Sequence, residues 1–256
     1  MQAKATRLGA LDWAERTRLP EAAALRFAPV IGQVDRYERF LRIVFDRYRQ
    51  LVVEHQESIG QIQAFMSSRG GESRQLTAEE TVILARRSEL SARVHLEVET
   101  FYLFAKIFLD KSAHFLEHCF GTVRKLSLHS HDQLVKGLDA YVAATGIRVP
   151  AELSAELQSL KQRISDFRDY QIAHEQSPYM VRGTLFGLGQ EPRIVLMKIP
   201  PAGSPPVRQP PAQSEAIQEL MIAIDCHIGR LIDLYEANRG LSVFLRAPSK
   251  FAESRP

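Results

Sequence analysis

Val98-Glu99-Thr100-Phe101-Tyr102-Leu103-Phe104-Ala105-Lys106-Ile107-Phe108-Leu109-Asp110-Lys111-Ser112-Ala113-His114-Phe115-Leu116-Glu117-His118-Cys119-Phe120 is the stretch that decides the fold. It holds neither Gly nor Pro. From Val94 onward, Val94, Val98, Phe101, Ala105, Phe108, Ser112, Phe115 and Cys119 step by four and three without a break. That is the helical period, so these side chains line one seam. Thr77-Ala78-Glu79-Glu80 supplies the start, with Thr77 as cap and Glu80 three residues later to reach back. Gly121 supplies the stop. A helix roughly 40 residues long follows, about 60 Å from end to end. One long apolar seam on such a helix calls for packing against other helices.

The same reading extends outward in both directions. Upstream, Tyr37, Phe40, Leu41, Val44, Tyr48 and Leu51 again step by three and four, predicting a long helix over residues 34–66. Residues 67–75 with Gly70-Gly71 read as a polar loop. The first 30 residues are weakly periodic and read as an extension with one short helix around residues 11–17. Downstream, Ser130-His131-Asp132 opens a shorter helix that Gly146 closes. Pro150 begins the next, where Leu153, Leu157, Leu160, Ile164 and Phe167 keep the period until Pro178. Residues 179–188 and 193–199 are rich in β-branched and aromatic side chains, with Gly187, Gly189 and Pro192 between them. They predict a β-hairpin. Residues 200–214 hold six of the thirteen prolines, the mark of an extended linker. Ile217, Leu220, Met221, Ile224, Ile228, Leu231 and Leu234 form the stripe of a last helix over residues 214–238.

The fold expected is therefore all-α. It is an up-and-down bundle of about five long helices with a small β-hairpin insertion before the last helix. Four segments follow: an N-terminal extension (1–30), a helical core (31–178), the hairpin and Pro-rich linker (179–213), and a C-terminal helix completing the bundle (214–256).

Composition narrows the function. The chain has 256 residues, long enough to bury a sizeable core. Its net charge is +3 and its pI about 8.9. That suits a polyanionic partner without demanding one, because no long run of Lys and Arg occurs. The arginines of the N-terminal half read as a solvated helix face. Cys119 and Cys226 both sit in apolar helical stretches and read as reduced core residues of a cytoplasmic protein. No apolar run is long enough to span a membrane, and no basic head with an apolar stretch marks a signal peptide. No phosphate-binding Gly loop, Cys metal cluster or nucleophilic Ser elbow is present.

The chemistry concentrates in Phe167-Arg168-Asp169-Tyr170-Gln171-Ile172-Ala173-His174-Glu175. Arginine is always charged and histidine titrates near neutrality. Metal-free RNA cleavage needs a base for the ribose 2′-hydroxyl, an acid for the leaving oxygen and a cation for the phosphate charge. On an ideal helix Arg168 and His174 stand about 120° apart with about 9 Å of rise. A second copy facing the first is the simplest way to complete one site from both residues. A competing reading has His174 packed at the helix end and Arg168 paired with a nearby acid.

This segment resembles the HEPN superfamily of helical proteins, whose RNase members carry an arginine, a polar neighbour and a histidine after a gap of four to six residues. The Glu99–Lys111 stretch, Phe120-Gly121 and the helix opened by Ser130-His131-Asp132 look similar to that family too. The resemblance covers roughly residues 35–178. It implies a homodimer with a composite cleft and metal-independent endoribonuclease activity without a cofactor. It also implies a role in toxin–antitoxin systems or phage defence, with an antitoxin as partner. Carried over by position, Arg168 and His174 are the active pair and Asp169 the polar neighbour, with Tyr170 beside them. Glu99, Lys106, Asp110 and Glu117 share one polar stripe. That stripe either backs the Arg168 region or faces solvent.

Two alternatives stand beside this reading. One is a non-catalytic helical dimerisation or regulatory module whose seam contains His174. The other is a zinc-dependent hydrolase using His114-Glu117-His118, in which two histidines four apart share a helix face and the glutamate activates water.

Overall fold

In the computed structural model, which describes residues 6–68, 75–166, 180–185, 193–198 and 213–245, helix is the dominant element. The order is α1 (Arg7–Arg18), α2 (Glu21–Ser68), α3 (Ala78–Phe120), α4 (His131–Thr145) and α5 (Leu153–Leu160). A π-helical turn, Lys161–Asp166, continues α5. Strands β1 (Met180–Leu185), β2 (Arg193–Lys198) and β3 (Gln213–Ala216) follow, then α6 (Ile217–Ala237).

Helix α3 forms as its sequence dictates. The Thr77 N–H donates to Glu80 Oε2 at 2.8 Å, and the Glu80 N–H donates to Thr77 Oγ1 at 3.2 Å. This is the reciprocal capping box. The whole seam from Val94 to Cys119 is buried. At the other end Gly121 takes φ +99°, and its N–H reaches the Glu117 carbonyl at 2.8 Å. A Cβ there would lie 3.4 Å from Val243 Cγ1, in a conformation that L side chains rarely adopt.

Helix α2 begins at Glu21 rather than near residue 34. Phe27, Ile31, Val34, Glu38, Leu41, Val44 and Tyr48 are all buried and step by four and three. The stripe therefore starts earlier than its aromatic residues suggested. Pro29 lies inside this helix. Its ring removes the hydrogen bond to the Leu25 carbonyl. Leu25 is 71% exposed, so water can take that place. Ahead of α2, α1 buries Leu8 and Leu11.

The chain divides into two compact units. The first comprises Met1–Leu41, Phe104–Ser165 and Ala223–Pro256. Phe27 meets Phe244 edge-on at 5.3 Å and Tyr235 at 5.4 Å, and Phe115 joins at 6.3 Å. Fully buried Glu15 accepts from Tyr235 Oη and Arg239 Nε, both at 2.9 Å, which fastens α1 to the end of α6. Glu38 accepts the first N–H groups of α1, from Arg7 and Leu8, at 3.2 Å each. That satisfies donors the helix start leaves open.

The second unit comprises Arg42–Leu103 and Asp166–Ile222. Here Tyr48, Leu90, Val94 and Val98 are buried, and Arg47 pairs with the buried Glu97. Its strands make a three-stranded antiparallel sheet in the order β1-β2-β3, not the two-stranded hairpin expected. Met180 pairs with Lys198 and Leu185 with Arg193, while Arg193 pairs with Ala216 on β3. The third strand takes the residues read as the start of the last helix, so α6 begins at Ile217 rather than at residue 214. No described helix is long and apolar enough to cross a membrane.

Candidate functional site

Arg168, Asp169, Tyr170 and His174 lie outside the described residues. The described chain leads toward them through the π-helical turn Lys161–Asp166. Such turns are rare and concentrate at functional places. The residues expected to back them divide between units. Glu99 belongs to the second unit, where it lines a groove of about 660 Å³ on α3 with Arg87, Ser91 and His95. Lys106 and Asp110 belong to the first.

In the first unit the polar stripe turns inward. Lys106 Nζ lies 2.8 Å from Asp110 Oδ1, and the Lys106 side chain is only 14% exposed. The same Asp110 oxygen accepts the His131 backbone N–H at 2.8 Å. A carboxylate at this position balances the positive end of α4. Ser130 caps that helix by accepting the Gln133 N–H at 3.3 Å. Asp132 holds Lys136 at 2.7 Å and Lys161 at 3.2 Å. The hydrogen bond from Lys136 lowers the Asp132 carboxyl against the opposing effect of burial.

Behind this rim stand two histidines with no solvent exposure, His131 on α4 and His227 on α6. Their rings meet at right angles with centroids 6.4 Å apart, and Phe108 lies edge-on to His227 at 6.4 Å. His227 Nδ1 sits 3.2 Å from Glu156 Oε1, while the other oxygen of Glu156 takes the Arg230 guanidinium. Neither ring nitrogen of His131 has a partner among the described residues, nor does His227 Nε2. Burial above all pushes His131 down from 6.5 to about 3. His227, Lys106 and Lys161 add to this, while Asp132 opposes it.

The arrangement holds a neutral His131 imidazole against the His227 ring inside a ring of compensated charges. The sequence reading placed His131 at a helix start and passed over His227. A signal was there: His227 follows Ile224 by three and Leu220 by seven, on the α6 stripe. His131 precedes Leu134 by three and Leu138 by seven. Cys226, read as a core residue, is exposed.

The zinc pattern gains nothing from the geometry. The His114 and His118 rings lie 6.4 Å apart, and His129 reaches within 5.5 Å of His114. Glu117 is buried with His129 Nδ1 at 3.7 Å. Among the described residues no group of three or more His, Cys, Asp or Glu could hold a metal ion. No protein-family model, curated protein or solved structure matches this chain.

Proposed function

We propose that this chain is an HEPN-like, metal-independent endoribonuclease that cleaves RNA through attack of the ribose 2′-hydroxyl. His174 moves the proton, Arg168 stabilises the charge developing on phosphate, and Asp169 orients them. The observation that carries the reading is the Arg168-Asp169…His174 spacing at the end of the helical period that begins at Leu153. The helical character of the chain agrees with it. Single-stranded or loop RNA is the substrate class, because the 2′-hydroxyl must be free to align with the phosphate. A homodimer, an antitoxin partner and a place in a toxin or phage-defence system belong to the same proposal.

A second reading, a non-catalytic dimerisation or regulatory module, is favoured by one observation. In the second unit Ile43, Val53, Met66, Val82 and Leu96 are each more than half exposed. Exposed apolar side chains make an interaction site where they join into one patch. Cleavage of a labelled RNA pool in EDTA by wild type and His174→Ala separates the two. The nuclease gives 2′,3′-cyclic phosphate ends, and the folded variant loses at least a hundredfold in rate, the scale of one general acid–base group. Equal absence of cleavage in two folded proteins would favour the module.

A further inference from the structure

We infer that the buried His131–His227 pair is an acid-sensitive latch, in which proton uptake at His131 releases the first turn of α4 from the core of the first unit. The inference is independent of the nuclease proposal. It stands on the surroundings of the pair. From α3 the pair is faced by Lys106 and Asp110, from α4 by Asp132, and from α5 by Glu156. Lys161 of the π-helical turn and Arg230 of α6 complete the set. The acids are already engaged: Asp110 with Lys106 and the His131 N–H, Asp132 with Lys136 and Lys161, Glu156 with Arg230 and His227. A proton arriving on His131 finds no acceptor for either ring N–H among the described residues and stands near two lysines. A buried unpaired charge is not tolerated, so the ring must leave its site to be solvated.

His131 is the first residue of α4, held by its own backbone N–H on Asp110. Moving the ring outward therefore pulls on that hydrogen bond and on the Asp132–Lys161 tie beside it. The sign follows from the low native value. The folded form binds this proton near pH 3, the unfolded or opened form near 6.5. Stability from the neutral ring is complete above about pH 6.5 and is lost progressively as the pH falls from there toward 3.

The test compares hydrogen-exchange protection of the α4 amides and urea unfolding in the full-length wild type and His131→Leu, from pH 7.5 to 4.5. Wild type should lose about tenfold more protection per pH unit below 6.5 than the variant, in α4 before the rest of the chain. Its unfolding constant should show the same extra dependence. If His131→Leu does not fold at pH 7.5, His131→Phe keeps the planar ring and takes its place. Parallel pH profiles for wild type and a folded variant would overturn the latch. So would loss of protection beginning elsewhere, with α4 the last to exchange.

Discussion

At the residue scale the first unit depends on buried charges that meet opposite partners. Glu15 has no exposure, yet it gathers Tyr235, Arg239 and, at 3.5 Å, Arg18. Burial, then its bond to Glu15, raises the Tyr235 hydroxyl well above its ordinary range. Removing the carboxylate leaves a buried phenol and a partly covered guanidinium without their acceptor. Glu15→Ala should therefore cost about 3–5 kcal/mol, the range for breaking a buried pair from one side. Urea unfolding at pH 7.5 measures it, and a loss below about 1 kcal/mol would mean water replaces the carboxylate. Nothing in the sequence announced this network, because Glu15 meets Tyr235 and Arg239 across more than two hundred residues. The histidine pair was hidden for the same reason. The period of a helix tells which face His131 and His227 occupy, but not that the two faces meet.

Among the elements, α3 shows how far local chemistry carries. Its cap, seam and stop were all legible, because each depends on residues within a few turns. Thr77→Ala removes the acceptor for the Glu80 N–H at the mouth of this helix. It should destabilise the protein by about 1 kcal/mol, seen as a lower urea midpoint at unchanged slope. Helix α2 was legible in type but not in extent. Weak periodicity over the first 30 residues argued for a late start, whereas the buried row Phe27, Ile31 and Val34 sustains the helix through Pro29 and Gly32. Apolar burial there outweighs a proline cost of about 3 kcal/mol, since each large side chain contributes roughly 1.5–3 kcal/mol. The third strand escaped notice because Gln213-Ser214-Glu215-Ala216 has little β propensity. It is a strand because β2 offers it a pairing edge: Arg193 opposes Ala216, and the Arg193 guanidinium reaches Glu219 at 2.6 Å.

For the whole molecule, the catalytic proposal is met most simply by two copies. Arg168 and His174, about 120° apart on an ideal helix, cannot both address one phosphate from a single straight segment. A two-fold partner brings an arginine from one copy to the histidine of the other. The proposed pairing would draw on exposed apolar side chains of the second unit, with Val82 and Leu96 of α3 at 67% and 59% exposure. Sedimentation velocity should therefore show a species of twice the 29.0 kDa chain mass that dissociates on dilution. Leu96→Glu puts a charge in place of an exposed apolar side chain and should weaken the proposed dimer at least tenfold, which is only about 1.4 kcal/mol of association free energy. RNA cleavage should fall with the dimer fraction, and a high protein concentration should restore it. That coupling separates a composite site from one completed within a chain. A Leu96→Glu monomer that cleaves at the wild-type rate would show that the helix bends enough to bring both residues together alone. A chain monomeric at every concentration and inactive on RNA would remove the composite site and the dimeric module together.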